Sequence, residues 1–449
     1  MLMSSLDTSI ANAGLPTLVR AFGASFQQVQ WVVLAYLLAI TTLVVGAGRL
    51  GDLVGRRRLL LAGTLTFTAA SALCGLSPSL WVLIAARSVQ GLGAAAMMAL
   101  TVAFVSETVP KEKTGSAMGL LGAMSAIGTA LGPSLGGFLI AEIGWQAMFL
   151  VNVPVGALAL FLTHRHLPAD GRSPNAQASG FDALGTALLA LSLAAYALAM
   201  TTGHGRFGLL NLALLAASLA GALVFVRVER RTKSPLLHLS RFSDPALSGS
   251  LVMSTIVSAV MMSTLVVSPF YLAHALRLTP ALVGLVLSVG PLVVAAAGVP
   301  AGRLADRFGP HRTAALGLSA MAAGLILLVL SPTKLGVPGY VGPVVVVTAG
   351  YALFQTSNNT LVMGGLAPAE HGVTAGMLGL ARNLGLITGA SAMGAVFAFA
   401  SGATDVANAH PEAVAAGTRT TFGVATALVV VALTIALSGR PALCASPAP

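Results

Sequence analysis

GRLGDLVGRRR, residues 48–58, and GRLADRFGPHR, residues 302–312, are two versions of one charged segment in a 449-residue chain with only 8% Asp, Glu, Lys and Arg. They agree at Gly48/Gly302, Arg49/Arg303, Leu50/Leu304, Asp52/Asp306, Gly55/Gly309 and Arg58/Arg312. The separation, 302 − 48 = 254 residues, makes the chain two related halves. Each copy joins one long apolar run to the next.

Those runs set the fold class. With 56% hydrophobic residues and a mean hydropathy of +0.89, the chain is far from the roughly 25% charged residues of soluble domains. Runs of bilayer-crossing length, about 20 residues, fall at approximately 1–19, 29–47, 59–77, 80–104, 116–140, 145–163, 183–202, 207–226, 247–272, 281–301, 313–331, 340–360, 374–400 and 419–438. They are continuous and do not alternate with period two, which excludes a β-barrel. The expectation is an all-α polytopic membrane protein of fourteen helices. Its boundaries are an N-terminal six-helix bundle over 1–163, a linker with two extra helices over 164–245, and a C-terminal six-helix bundle with a short tail over 246–449. An exact six-helix duplication would place the second charged copy after helix 8; it follows helix 10, so one helical pair is inserted.

Charge fixes the expected orientation. With the N-terminus inside, seventeen Lys and Arg fall in inner loops, five fall in outer loops, and Arg87 and Arg382 lie within spans. That bias puts both termini in the cytoplasm. Trp31, Trp81 and Trp145 stand near the starts of even-numbered helices, at the outer interface where aromatic belts form. The net charge of +11 is spread singly or in short clusters between apolar runs, so nucleic acid is not an expected partner. Cys74 and Cys444 make no metal-ligand spacing. No GxxxxGK[ST] phosphate loop occurs, and no Ser/His/Asp set can be assembled within the spans. Neither an enzyme nor a cofactor is expected. The segment before Arg20 lacks the basic region of a signal peptide.

GRLGDLVGRRR resembles the cytoplasmic signature loop of the major facilitator superfamily, between its second and third helices. LDTSIANAGLP (6–16) resembles the first-helix motif of the fourteen-helix drug/proton antiporters, and RSVQGLGAAAM (87–97) is similar to their fourth-helix Arg motif. GTALGPSLGGF (128–138) resembles the fifth-helix antiporter motif, and GWQAMFLVNVPVG (144–156) the sixth-helix signature. The resemblance covers nearly the whole chain. It implies the major facilitator fold and a proton-coupled multidrug efflux antiporter, acting as a monomer in the cell inner membrane by alternating access. It also implies a gating role for the two charged loops, as a cytoplasmic latch closed when the cavity faces outward.

The residues can be read beside that likeness. Gly48, Gly51 and Gly55 permit a tight turn between antiparallel helices; Asp52 suits a helix N-terminus; Arg56, Arg57 and Arg58 face anionic headgroups. Gly48, Asp52, Gly55, Arg56, Asp306 and Arg307 are the candidate cytoplasmic gate, with a purely topological basic anchor as the other reading. An ionisable residue near the bilayer centre costs about 2.5–3.5 kcal/mol on insertion scales. Among thirteen acidic residues, Asp7 alone falls inside a proposed span. A buried carboxylate can hold a proton or a cation, but not both equally, which is the simplest chemistry of antiport. The alternative is an N-cap near the interface, since Asp7 is only six residues from Met1.

Arg87 and Gln90 share a helix face. The resemblance gives Arg87 a part in proton coupling with Asp7; snorkelling to the interface is the competing account. Gly128, Gly132, Pro133 and Gly136 predict a closely packed, bent helix between the halves. Gln90, Arg382, Gln355, Asn358 and Met262 are candidate lining of the substrate cavity, with ordinary packing as the alternative. A transmembrane voltage of 100 mV gives one charge about 2.3 kcal/mol, and each pH unit adds about 1.36 kcal/mol. One proton can thus hold a solute gradient of roughly a hundredfold. The remaining alternatives are an exporter dedicated to one endogenous compound and a proton-independent uniporter.

Overall fold

The computed structural model describes residues 1–108, 111–167, 182–202, 208–232, 244–363, 371–402 and 410–438. Fourteen helical segments follow in the expected order. The first half holds α1 (Leu2–Phe22), α2 (Phe26–Val54), α3 (Arg56–Gly75), α4 (Leu80–Thr108), α5 (Lys111–Glu142) and α6 (Ala147–Leu150 with Asn152–His166). Then come α7 (Ala183–Thr201) and α8 (Leu209–Glu229). The second half holds α9 (Pro245–Phe270, extended by a π-turn at Tyr271–Ala275), α10 (Pro280–Phe308), α11 (Pro310–Leu330) and α12 (Gly336–Met363). It closes with α13 (His371–Thr388, running through a π-turn at Gly389–Met393 into Gly394–Ser401) and α14 (Pro411–Ser438).

Thirteen of the described helices are long and apolar enough to cross a bilayer. The polar residues of α1 (Ser4, Ser5, Asp7, Ser9 and Asn12) keep it out of that set. At about 1.5 Å per residue it is nonetheless roughly 31 Å long, and most of it is buried in the bundle. Local chemistry places the helix ends. Gly23 closes α1 in the left-handed region at φ 57°. Ser25 and Gln28 form a reciprocal capping box on α2. Asp244 and Thr279 cap α9 and α10, each followed by a proline at the first turn.

The repeated segment is mostly helix, which corrects the expectation of a loop. Residues up to Val54 continue α2 and residues up to Phe308 continue α10, so Gly48, Gly51 and Gly302 are helical. The turn is one residue in each copy: Gly55 at φ 107°, ψ 125° and Gly309 at φ 83°, ψ 146°. Positive φ at both joints is the reason for glycine there.

Within the first half α1 packs on α5, α2 on α4, and α3 on α4 and α6; in the second, α9 packs on α13 and α14, α10 on α12, and α11 on α12 and α14. The halves meet along α5–α10, α2–α13 and α1–α9. The α7–α8 pair joins the side of this arrangement through α7, which touches α2 and α13. Trp31 fastens it, its indole N–H donating to Thr201 Oγ1 at 3.1 Å. Two six-helix bundles and two inserted helices are therefore the architecture.

The halves approach closely where the last turns of α5 meet the first turns of α10. There Gly137 and Gly284 abut, and Ser134 N–H donates to Ser288 Oγ at 3.1 Å. A Cβ placed on Gly48 of α2, Gly122 of α5, Gly298 or Gly302 of α10, or Gly376 or Gly379 of α13 meets nothing within 4 Å.

Candidate functional site

The strongest polar constellation lies inside the first half. Asp7, on α1, is 1% exposed, and Arg87 and Gln90, one turn apart on α4, are 0% exposed. Arg87 Nη1 donates to Asp7 Oδ2 at 2.5 Å and to Gln90 Oε1 at 2.6 Å. Gln90 Nε2 in turn donates to Asp7 Oδ1 at 2.9 Å and to Ser71 Oγ of α3 at 2.7 Å. Asn152 of α6 completes the carboxylate shell, its Nδ2 donating to Asp7 Oδ1 at 2.8 Å. The guanidinium also donates from Nε to Val32 O of α2 at 2.9 Å, and its Cζ stands 4.2 Å from the centroid of the Tyr36 ring. Five helices thus converge on one ion pair.

This geometry answers two open questions. Asp7 is interior, and Met1, not Asp7, stands at the N-cap position of α1. Arg87 does not snorkel: it is 0% exposed, with Nη1 and Nε bonded to Asp7, Gln90 and Val32, while its buried Nη2 has no hydrogen-bond partner. Gln90, expected as cavity lining, belongs to the same network. Asn152 was not singled out in the sequence; the signal was a lone amide inside an apolar run, which needs a partner in a membrane interior. Such a pair is electrically stiff. Burial of both charges is tolerable only while they are matched, and removing one partner typically costs about 3–5 kcal/mol.

The helix 5 residues divide between two neighbours. A Cβ on Gly132 would sit 2.5 Å from Ser9 Cβ, and one on Gly136 would sit 3.0 Å from Ile10 Cγ2. Gly128 lies likewise against Leu2 and Leu6. These three glycines therefore let α5 approach α1 of its own half, instead of lying between the halves. Ser9 Oγ adds a bond to Thr129 O at 2.8 Å. Only the opposite face, with the carbonyl of Pro133 against Gly284, crosses to α10. α5 itself runs unbroken through Pro133.

Other candidates scatter. Gly55 is the α2–α3 joint and Arg56 the first residue of α3, with its Cγ near the Cβ direction of Gly51 at 3.3 Å. Asp52 lies in the last turn of α2, and its side chain is outside the described part of the structure. Asp306 and Arg307 are exposed at the end of α10, with Arg307 Cζ 5.3 Å from the Phe308 ring. Met262 does not line a cavity: it is 1% exposed, pressed against Gly389 of α13. Asn358 is buried too, its Nδ2 reaching Ser250 O at 3.5 Å. Gln355 is half-buried and bonds Asn359 at 3.3 Å. Arg382 is exposed, on the arc of α13 between the side facing α2 (Ala390, Gly394) and the side facing α9 (Gly385, Gly389). Among the described residues no group of His, Cys, Asp and Glu could hold a metal ion.

Comparison with known proteins places this arrangement. The chain is 33% identical over 401 residues to the multidrug resistance protein Stp of Mycobacterium tuberculosis, covering 89% of this chain and 74% of that one. It is 32% identical over 398 residues to the riboflavin transporter RibZ of Clostridioides difficile, covering 88% and 86%. Its fold superimposes with a TM-score of 0.71, at 14% identity, on an inward-facing, unoccupied bacterial homologue of the human lysosomal transporter Spinster, covering 97% of this chain and 93% of that one. The family profile described as Major Facilitator Superfamily matches residues 1–390 and again 251–446. Two bundles built around a repeated charged segment, an inserted helical pair and these likenesses have one meaning: the chain is a multi-pass membrane transporter, not an enzyme, and belongs to the major facilitator superfamily.

Proposed function

We propose that the protein is a proton-coupled efflux antiporter of the inner membrane, exporting drugs or other small amphipathic molecules by alternating access. The observation that carries the reading is the Asp7–Arg87 pair. A proton arriving on Asp7 neutralises the anion at which Arg87, Gln90 and Asn152 all point. The guanidinium is then left buried without a counter-charge, at a cost of several kcal/mol. α1 can relieve this only by shifting against α4 and α6. Because α1 also packs on α9, that shift reaches the interface between the halves.

With the charged segments and both termini read as cytoplasmic, we take the state to be inward-facing, with the close approach of α5 and α10 at the outer end. We assign substrate contact to Arg382, which is exposed on α13, with the half-buried Gln355 as a second candidate.

Substrate-induced proton release in proteoliposomes, over a panel of cationic, neutral and anionic compounds, tests the reading, with Asp7→Asn as control. Identical signals from the variant and the parent remove Asp7 from the mechanism. Transport indifferent to the proton gradient makes the protein a uniporter. The likeness to a riboflavin transporter favours one further reading, an exporter dedicated to a single compound. A panel in which one member alone is moved supports that.

A further inference from the structure

The seam between α2 and α13 holds an arrangement that neither the charge network nor the repeated segment explains. Gln30 of α2 is 1% exposed, and its Nε2 donates to Ala390 O of α13 at 2.8 Å, a buried bond from one half to the other. Ala390 lies in the π-turn Gly389–Met393. A π-turn takes carbonyls out of the i→i+4 ladder and so leaves acceptors for an outside donor. The turn is gripped on both sides. On one, Gly389 presses on Ala259 and Met262 of α9; on the other, a Cβ on Gly394 would coincide with the Gln30 amide nitrogen. Gly394 is thus a notch that fits this amide. Gln30 Oε1 has no hydrogen-bond partner, so the side chain is held by its single bond and by the fit of the notch.

One turn toward the outer surface, three aromatic rings complete the contact. Phe26 of α2 stands edge-on to Phe270 of α9 at 4.8 Å and to Phe397 of α13 at 5.2 Å. Phe270 and Phe397 are 6.2 Å apart. All three are buried. The ring from the first half therefore inserts between two rings of the second, and water is kept from the Gln30 bond.

We propose that Gln30, the Gly394 notch and the Phe26–Phe270–Phe397 plug are the outer latch of the transport cycle, the contact that must break for the substrate cavity to open outward. Gln30 acts as a positioning residue: it binds no substrate and sets the balance between inward- and outward-facing forms. The proposal rests on the alternating-access reading but not on proton coupling. In the outward-facing form the amide leaves the notch and both amide groups meet water, so nothing polar is stranded. That makes the latch reversible, and loss of the Gln30–Ala390 bond weakens its closed form.

The test is distance measurement between nitroxide labels in nanodiscs at fixed pH, in a Cys74→Ser, Cys444→Ser background. One pair, Gln28→Cys with Phe399→Cys, spans the outer seam; a second, Val54→Cys with Phe308→Cys, reports the charged end. Gly394→Ala and Gln30→Leu should each raise the population with a wide outer distance severalfold, with the opposite change at the charged end. Gln30→Ala should raise it as well, and adding Gly394→Ala to it should do no more, because the truncated side chain no longer fills the notch. Parent-like distributions in both Gly394→Ala and Gln30→Leu, or additive effects in the double variant, overturn the proposal. If Gly394→Ala does not fold, Gln30→Leu, which conserves volume, decides alone. A parent-like result for Asp7→Asn in the proton-release assay would sink proton coupling and leave these distances untouched.

Discussion

The two halves share a repeated segment and a glycine joint, yet they bury different chemistry. In α1–α6 the buried residues include Asp7 and Arg87, tied by Gln90 and Asn152; in α9–α14 the buried polar residues among those described are Ser, Thr and Asn358, none of them charged. Most of the buried hydroxyls of the second half bond a carbonyl one turn back on their own helix, as Thr348 does to Val344 and Thr421 to Gly417. They stay satisfied whichever way the bundle leans. The Asp7 network has no such freedom, because its partners come from four other helices. The first half thus holds a buried charge pair that the described residues of the second lack. Both π-turns, at Tyr271–Ala275 and Gly389–Met393, lie in the second half, and the latter packs against α2 of the first.

This contrast can be tested from its strongest consequence downward. Asp7→Asn should abolish gradient-driven accumulation, a fall from roughly a hundredfold to none if one proton drives the cycle. Downhill exchange should persist, since the amide keeps its place among Gln90 and Asn152. Measuring uptake into inverted vesicles with and without an imposed pH difference separates the two. Arg87→Ala should destabilise the fold by about 3–5 kcal/mol, read as a lower melting temperature in detergent, by stranding the carboxylate. Adding Asp7→Asn to it should restore part of the loss, and a double variant no more stable than Arg87→Ala would break the account of the pair. Gly132→Val should cost about 1–3 kcal/mol by forcing α5 off Ser9. Asn358→Ala, in the uncharged half, should cost only about 1 kcal/mol and leave the pH dependence of transport unchanged. A changed pH profile there would erase the difference between the halves.

Much of this was legible in the sequence, for identifiable reasons. Apolar runs report helices because an unpaired backbone group is not tolerated in lipid, so all fourteen segments appear where they were expected. Asp7 and Arg87 stood out because charge is rare in those runs. What failed was position within a helix. GRLGDLVGRRR looks like a loop by composition, yet only Gly55 leaves the helical region. Met262 looked like cavity lining because flexible thioethers often are, and nothing local distinguishes that from its place against Gly389. Asn152 was hidden because its need for a partner shows, but the partner, 145 positions away, does not. Neither π-turn has a composition that announces it. The Gln30–Gly394 fit is a relation between two helices, and no pattern along one of them contains it.

The one-residue joints at Gly55 and Gly309 govern how motion spreads. A linker of several residues would absorb rotation of one rod before its neighbour felt it. With a single hinge residue, any change in the pitch of α2 is handed at once to α3, and of α10 to α11. In each couple the two dihedrals of one glycine are all the backbone that can take up such a change.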